Sequence, residues 1–590
     1  MKCHRPIMYM FVLLIAPMVL AAPGDVKGPD AVGQPIDQQQ RVGPLDLIPA
    51  NAAAGVAVDS LDGLKKKGTK FLNETGMPQW FRPSMIFDYV YSSMGITGGV
   101  DHSRASSIVI ASADVVGVGN ADYEQLILRG LVIVVPFNKL TDLAFGARRD
   151  PGALKQGKIT VKDNRVFLAK GHHLYVASSL GFLGGEINEQ VMAGRVAAIR
   201  SVAMGQPVSQ QMTASRRKVL DRADLLVHMG PQFWGEIWKE MMRDLDRGLR
   251  LEDDKNDEQV ARRMVETISK IRFVTTSVRL DGGLSLKMLA AFPKDEKIAE
   301  YLKAVRGGPA PSDLRGLPNG NLLLAYAAKG DGGRRIGIAR SLMKVSIGGI
   351  FNETALWNKA DQSKFLGAFH RSWRHLKGSR FAVYRTEGKQ EKVGMVATVA
   401  ILDTNDPDAM LKPLKDLADV ANRADQQKAA GAGLGGIQFR YQANAGKIEG
   451  VRVDELQIVH DGVADTKELK RLFGADWQRL RLAVLENNIV VLAGSDETLL
   501  TTTLRNIRDG GAGLAKDLGV VTSTSRFDSQ HTFELHASML NAAPLTVQAQ
   551  PALGKKAAKL TSMSVTVDVD RIQFDFWMPS SEIRILQMNP

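Results

Sequence analysis

The chain has 590 residues, a formal net charge of +13 and a single cysteine, Cys3. This length allows about three or four domains' worth of buried core, and basic and acidic residues are interleaved without the concentrated basic stripe that nucleic-acid binding requires. Without further cysteines, the rest of the chain excludes disulfides, thiolate catalysis, cysteine-ligated zinc and iron–sulfur clusters.

The first residues have the pattern of a secretory signal peptide. Lys2 and Arg5 precede an apolar stretch, and small residues at its end allow cleavage before Ala22. We therefore predict a signal peptide over residues 1–21 and an exported protein, periplasmic or extracellular. A retained membrane anchor is the alternative, although the stretch is interrupted by Pro17 and falls short of the roughly 20 apolar residues that span a bilayer. After cleavage we expect no integral membrane span.

The folded part is predicted to begin after a flexible leader. Residues 22–43 are rich in Gly, Pro, Asp and Gln and show no apolar periodicity. Residues 52–58 then predict a strand of small residues, and residues 60–72 predict a helix with the lysines 65–67 on its solvent side.

The clearest pattern that recurs along the chain is two alternating apolar runs, a tight turn and an amphipathic helix. Residues 273–280 and 284–292 predict a hairpin around a turn at 281–283 whose glycines can adopt positive φ. Apolar residues share one face of this hairpin, whereas Arg279, Ser285 and Lys287 are predicted to face solvent.

Other hairpins with the same pattern are predicted at residues 381–402, 480–493, 565–576 and, more weakly, 166–177. Ser495 is a predicted N-cap for the helix after the hairpin at 480–493, and Asp406 followed by Pro407 predicts another helix start. The hairpin at 565–576 is predicted to close the chain without a long helix.

Together these elements predict an α+β fold. The units are expected to be duplicated antiparallel hairpin-helix units that form helix-covered sheets in two lobes, residues 44–308 and 321–590, joined by a Pro- and Gly-rich linker at 309–320. Helices are expected on one face of each sheet. The second face would hold a lipid-like ligand if the sheet curls, or be core if another layer packs on it.

One amphipathic segment carries the candidate site residues. Trp234, Trp238 and Met241 share a helical face in residues 233–250, and they are the residues we would assign to an apolar-ligand or surface contact. The polar side of this helix carries balanced acidic and basic residues, which favours packing against a sheet over binding at a membrane surface.

Histidine spacing predicts no metal site. Two pairs have a five-residue spacing, which separates the rings on a helix and puts them on opposite faces of a strand: His370 with His375, and His531 with His536. His172 and His173 lie at a predicted hairpin tip and are interpreted as exposed turn residues. No HExxH, P-loop or GxSxG pattern is present. The sequence therefore predicts no cofactor, no metal and no catalytic residue.

The run IPANAAAGVAVDSLDGLKKKGTKFL at residues 48–72 resembles the start of the folded body in large exported bacterial proteins of unknown function, particularly those of planctomycetes. In that group a small-residue strand leads into a helix, and hairpin-helix units follow. The resemblance implies a compartment and an architecture but no activity.

Three functions remain open from the sequence. The first is an exported cell-envelope protein that binds or scaffolds envelope components without catalysis. The second is a periplasmic carrier of a lipid or another apolar ligand. The third is a hydrolase assembled from scattered Asp, Glu and His residues, because sequence separation hides spatial clusters.

Overall fold

The computed structural model combines helices with antiparallel strands, as the α+β prediction requires. It describes residues 42–78, 84–119, 123–145, 154, 156–178, 186–220, 223–232, 269–293, 295–306, 314–329, 364, 367–368, 371–372, 374–386, 390–416, 418–419, 422, 437–460, 467–527, 531–546 and 559–588. The strands are β1 (Ala54–Val58), β2 (Ile96–Gly98), β3 (Ser106–Ile110), β4 (Leu131–Pro136), β5 (Ala144–Phe145), β6 (Ile159–Lys162), β7 (Arg165–Lys170), β8 (His173–Ala177), β9 (Leu225–Met229), β10 (Phe273–Leu280), β11 (Gly283–Ala291), β12 (Leu322–Lys329), β13 (Leu376–Arg385), β14 (Val396–Thr404), β15 (Ile437–Ile448), β16 (Val451–His460), β17 (Arg479–Leu485), β18 (Asn488–Ala493), β19 (Phe533–Ala537), β20 (Thr561–Asp568) and β21 (Arg571–Pro579). The helices are α1 (Leu61–Thr75), α2 (Met85–Ser93), α3 (Ala113–Val116), α4 (Tyr123–Gly130), α5 (Glu189–Met204), α6 (Ala214–Leu220), α7 (Glu296–Arg306), α8 (Gln390–Val393), α9 (Pro407–Leu411), α10 (Lys467–Phe473), α11 (Glu497–Arg508), α12 (Leu518–Thr524), α13 (Met539–Thr546) and α14 (Ser580–Met588).

The described residues divide into two compact units. The N-terminal unit contains the described residues of 42–232, 269–293 and 573–588, and the C-terminal unit contains those of 295–572. In the N-terminal unit the strands pair in the order β6-β7-β8-β4-β3-β1-β9-β10-β11-β21. In the C-terminal unit the order is β15-β16-β17-β18-β14-β13-β12-β19-β20.

Helices pack on both faces of the N-terminal unit's sheet, whereas the sequence predicted cover on one face. Strand β4 shows the reason, because all six of its residues are buried, and a strand of continuous apolar residues needs cover on both sides. Helix α5 packs on one face through residues such as Ile199, and α1 with α2 packs on the other through residues such as Leu64 and Phe87. The second face of this sheet is therefore core.

The C-terminal unit also has helices on both faces of its sheet. Leu500 and Leu504 of α11 are buried against strands β12, β13, β14 and β18. Met410 of α9 packs with Leu482 and Ile489, whose side chains point to the opposite face. Leu314 and Leu317, inside the segment predicted as a linker, are buried in this unit's core.

The first predicted elements are confirmed. The predicted strand at residues 52–58 corresponds to β1, and the predicted helix corresponds to α1. Ser60 is the N-cap of α1, since its side chain accepts a hydrogen bond from the Gly63 N–H at 3.0 Å. Lys67 does not remain simply solvated, because its Nζ lies 2.6 Å from the largely buried carboxylate of Asp224.

The predicted hairpins are confirmed as strand pairs β7–β8, β10–β11, β13–β14 and β17–β18. In β10–β11 the turn is tighter than predicted, because Gly283 already belongs to β11. This position requires glycine: its φ is +155°, and a Cβ there would lie 2.2 Å from the Met578 carbonyl oxygen. Strands β20 and β21 form at the fourth predicted hairpin, and the short helix α14 of nine residues follows them.

One of the two helix caps was assigned to the wrong residue. Asp406 caps α9 as predicted and accepts from the Ala409 N–H at 2.9 Å. The cap of α11 is Asp496 instead of Ser495. Ser495 is already engaged by the Asp476 N–H at 2.8 Å, which leaves the adjacent carboxylate to cap the helix.

The face of β10–β11 predicted to be exposed is partly buried. The alternation itself is right, but Ser277 is only 1% exposed, and the Lys287 Nζ lies 3.0 Å from a carboxylate oxygen of Asp575. Asp575 belongs to β21, which pairs with β11 and also places Gln573 beside it, 2.9 Å from amide nitrogen to carboxylate. Sequence reasoning missed this cover because the covering strand lies almost 300 residues further along the chain.

Arg195 of α5 joins three segments of the N-terminal unit. It is fully buried, its Nε donates to the Leu128 carbonyl at 3.1 Å, and its Nη1 donates to the Asn164 carbonyl. Leu128 lies in the last turn of α4, where a cation is favourable. Burial lowers the pKa of Arg195 to about 10, so the guanidinium stays protonated at neutral pH.

Replacing Arg195 with Met is expected to lower the free energy of unfolding by about 2 kcal/mol, because two carbonyl groups lose a charged donor. Thermal unfolding of the variant beside Arg200→Met, an exposed position on the same helix, measures this. Equal effects of the two substitutions would contradict the structural role.

Candidate functional site

The residues assigned from sequence to an apolar-ligand or surface contact, Trp234, Trp238 and Met241, lie outside the described residues. That assignment therefore stays a prediction. Among the described residues, two groups of buried polar side chains and one open pocket are the candidate sites.

In the C-terminal unit a carboxylate lies between two imidazoles. Glu534 Oε2 is 3.1 Å from His536 Nε2 and 3.5 Å from His531 Nε2. The expectation that the five-residue spacing separates these histidines is wrong, because His531 precedes β19 and does not follow its alternation. Its counterpart pair cannot be compared, since His370 lies outside the described residues.

A serine extends this group across to the neighbouring strand. His536 of β19 and Ser562 of β20 are register partners, and His536 Nδ1 lies 2.8 Å from Ser562 Oγ. The contacts thus run from hydroxyl to imidazole to carboxylate, the order found in Ser-His-acid catalytic groups. We call Ser562, His536 and Glu534 the polar chain.

Burial separates the polar chain from catalysis. Ser562 and His536 are 0% exposed and Glu534 is 2% exposed. A hydroxyl nucleophile needs room for a substrate carbonyl about 3 Å away, and at these exposures no substrate reaches the hydroxyl. Within the part of the chain that the structure describes, no group of three or more His, Cys, Asp or Glu side chains is arranged to hold a metal ion.

Electrostatics stabilises the ionised carboxylate. Burial by itself raises the pKa of Glu534, but hydrogen bonds and the charges of His531 and His536 outweigh it and lower the pKa to about 2. The neighbouring hydroxyls of Ser564 and Thr566 are also buried, and within the described residues neither has a hydrogen-bond partner. Ser564 is the register partner of Glu534, so the polar side of the β19–β20 pair continues past the polar chain.

The N-terminal unit contains a similar pair. His228 of β9 and Thr275 of β10 are register partners, and His228 Nδ1 lies 2.9 Å from Thr275 Oγ1. Both residues are 0% exposed. Burial lowers the pKa of His228 to about 4, so the ring is neutral at neutral pH. The Phe273 ring lies against it, with centroids 5.6 Å apart.

Sequence reasoning missed both pairs, although one signal was available. In the run FELHA at residues 533–537, Glu534 and His536 alternate with apolar residues, as in a strand. If such a strand is buried on both faces, Glu534 and His536 are buried as well. A strand that buries Glu and His must supply partners for them. The partners lie on other strands, and the sequence does not identify those strands.

His173 also departs from its sequence interpretation. His172 is exposed as predicted, but His173 is 7% exposed and its Nε2 lies 3.2 Å from the Ala105 carbonyl oxygen. Burial lowers its pKa. The hairpin turn ends one residue earlier than predicted, so His173 begins β8 and points into the core.

The open pocket lies in the C-terminal unit, between β15 and the described helical residues after α9, which are 413–416, 418–419 and 422. Its volume is about 280 Å³, and it is lined by Lys415, Ala418, Asp419, Asn422, Phe439, Arg440 and Tyr441. Lys415, Asp419 and Arg440 are exposed, and none of these side chains forms an ion pair or hydrogen bond within the described part of the chain. Phe439 and Tyr441, two residues apart on β15, are half-buried.

Hydrogen bonds hold Phe439 and Tyr441, the two aromatic residues that line the pocket. The Asn422 side chain accepts from the Phe439 N–H at 2.6 Å and donates to the Phe439 carbonyl at 2.8 Å. The Tyr441 hydroxyl donates to Asp454 at 2.5 Å, and Asp454 also accepts from the Asn444 N–H at 2.8 Å. Burial and the bond to Asp454 raise the pKa of Tyr441. The backbone of Phe439 and the hydroxyl of Tyr441 are therefore held in place by the protein itself.

Comparison with known proteins gives no family. No protein-family model, no curated protein and no solved structure matches the chain. In the described residues no helix is both long enough and apolar enough to cross a membrane.

Proposed function

We propose that the protein is an exported component of the cell envelope that acts by binding or scaffolding and not by catalysis. The observation that carries this proposal is the burial of the polar chain. It has the contacts of a hydrolytic group, yet all three residues are at most 2% exposed. Export follows from the predicted signal peptide over residues 1–21 and from a chain whose only cysteine lies within it.

We also propose that the two units are copies of one architecture. Strands β6-β7-β8-β4-β3-β1-β9-β10 and strands β16-β17-β18-β14-β13-β12-β19-β20 have the same pairing order, and both sets follow the same chain order. Hydrogen bonds correspond as well: the Val208 N–H donates to Ile48 and the Leu514 N–H donates to Leu317, both at 2.8 Å.

The buried imidazoles fit this duplication. His228 with Thr275 and His536 with Ser562 occupy matching strands of the two units, and each pair joins register partners. A polar pair kept at the same place in both copies supports a role in fixing strand register, because a one-residue slip would move the imidazole to the other face. We therefore assign both pairs to the scaffold.

The test is a panel of ester, peptide and glycoside substrates offered to residues 22–590 and to the Ser562→Ala variant. We expect no turnover from either protein. The substitution is expected to cost about 1 kcal/mol of stability, as for loss of one hydrogen bond. Hydrolysis that disappears in Ser562→Ala, with the fold intact by circular dichroism, would replace the proposal with a hydrolase.

A carrier function is the second candidate, and a cluster of rings favours it. Tyr326, Phe381 and Phe533 are half-buried on one face of the C-terminal unit's sheet, with centroids 5.4 Å apart for Tyr326 and Phe381 and 6.2 Å apart for Tyr326 and Phe533. The packed second face of the N-terminal unit gives no such surface. Native mass spectrometry of gently purified protein distinguishes the two: a bound lipid supports carriage, and a ligand-free mass supports the scaffold.

A further inference from the structure

We propose that the two halves of the chain are docking partners that hold each other through exchanged ends. The first half is residues 42–306 and the second half is residues 314–588. The inference rests on the proposed duplication and goes beyond it. It starts from the composition of the units: the N-terminal unit includes residues 573–588 of the second half, and the C-terminal unit includes residues 295–306 of the first half.

The end of the second half is built into the N-terminal unit by polar contacts. Strand β21 pairs with β11, and the Lys287 Nζ lies 3.0 Å from the carboxylate of Asp575, which is 1% exposed. The Ser580 N–H donates to the Gly282 carbonyl at 3.2 Å. The Ser580 hydroxyl donates to the carboxylate of Glu74, in α1, at 2.9 Å. Residues 573–588 therefore contact both the sheet and a helix of the first half.

Apolar burial adds to these contacts. Ile583 of α14 is 5% exposed, and together with Met578 it packs in the cluster that contains Leu61 and Leu64 of α1. Removing residues 573–588 would expose part of this cluster and leave β11 as an open edge strand, with unpaired N–H and carbonyl groups. The N-terminal unit is therefore incomplete without the end of the second half.

The end of the first half belongs in turn to the C-terminal unit. Helix α7 follows β11 along the chain, but it packs on β20. Its residues Ile298 and Leu302 are 2% and 0% exposed. Helices α7 and α14 hold the same place in chain order, because each follows the last strand of its half. The exchange is therefore reciprocal.

Reciprocal exchange makes the association of the halves independent of the chain that joins them. If each half kept its own ends, cutting between residues 306 and 314 would let the halves part. With exchanged ends, separation must remove β21 and α14 from one unit and α7 from the other, and each attachment keeps the other at a high effective concentration. Separation also leaves the buried carboxylate of Asp575 without the ammonium group of Lys287.

The test is to cut the folded protein between its halves. A protease recognition site is inserted after Gly308 in residues 22–590, and complete cleavage is verified on a denaturing gel. Size-exclusion chromatography with light scattering then measures the mass under native conditions. We expect both fragments to elute together with the mass of the uncut chain. Two separate particles, each with about half that mass, would overturn the inference.

A matched pair of glycine substitutions shows whether β11 and β21 hold the fragments together. In Gly283→Ala the added Cβ would lie 2.2 Å from the Met578 carbonyl oxygen, whereas Gly171, at the turn between β7 and β8, also has positive φ but nothing within 4 Å of an added Cβ. In the cut protein Gly283→Ala is expected to weaken the association about tenfold more than Gly171→Ala does. Equal effects of the two substitutions would contradict docking through β11 and β21.

A second measurement uses the uncut chain. Ile583→Ala in α14 is expected to accelerate hydrogen exchange in α1 and β11, which lie in the first half, and to leave β17 and β18 of the second half unchanged. Acceleration in β17 and β18 instead would overturn the inference. Separation of the halves would leave the non-catalytic function standing, because that function fails only if hydrolysis depends on Ser562.

Discussion

Replacing Glu534 with Gln is expected to lower the free energy of unfolding by about 2–4 kcal/mol, because the substitution removes a buried charge that two imidazoles contact. The carboxylate offers only acceptors to His531 and His536, whereas an amide presents two N–H donors in the same buried space. Chemical denaturation measures the loss. Hydrogen exchange in β19 and β20 should accelerate first, because the substitution acts between these strands.

The pH dependence of this difference has a definite sign. Because the pKa of Glu534 is lowered from 4.5 to about 2 on folding, its contribution is present above pH 4.5 and is lost as the pH falls towards 2. The stabilities of the parent protein and of Glu534→Gln should therefore converge in acid. Glu486→Gln, in the exposed turn between β17 and β18, is the matched control and should change stability by less than about 0.5 kcal/mol. Equal losses in the two variants would contradict the buried ionic role.

Acidification from pH 6.5 to 4 is expected to cost the N-terminal unit up to about 3 kcal/mol through His228 alone. The folded pKa of about 4 lies below the ordinary value of 6.5, so in this window the unfolded chain binds a proton that the folded chain does not. The free energy of unfolding therefore falls as the pH falls. The lowered pKa of His173 acts in the same direction.

A substitution isolates the contribution of His228. In His228→Gln the difference in unfolding free energy between the two pH values should shrink by about 3 kcal/mol, because glutamine does not titrate. His172→Gln removes an exposed histidine of the same unit and should keep the parent's pH dependence. If His228→Gln and His172→Gln follow the same pH profile, the buried neutral imidazole is not the cause.

Local sequence patterns predicted the elements well. Period-2 apolar runs located four of the hairpins, three of them around a Gly or Asn turn, and the Asp406 cap located one helix start. These signals depend only on residues within one turn or one strand. They can therefore be recognised in the sequence before the tertiary structure is known. The Ser495 error shows the limit, since a distant backbone N–H decided which of two adjacent polar residues caps α11.

Long-range pairings could not be predicted. Lys287 was expected in solvent because its cover, Asp575, arrives with β21 near the end of the chain. Nothing in the sequence near His536 identifies Ser562 as its partner, because strand pairing brings the two residues opposite each other. The pocket combines a helix after α9 with β15, and only their packing brings Lys415 near Arg440. Each case depends on which strands or helices become neighbours, which periodicity does not encode.

The most direct test of the central claim is covalent labelling of residues 22–590 with a fluorophosphonate, followed by peptide mass spectrometry. A buried structural hydroxyl at 0% exposure should leave Ser562 unlabelled while the protein is folded. Stoichiometric labelling of Ser562 that His536→Gln abolishes would show an accessible, activated nucleophile and would contradict the account.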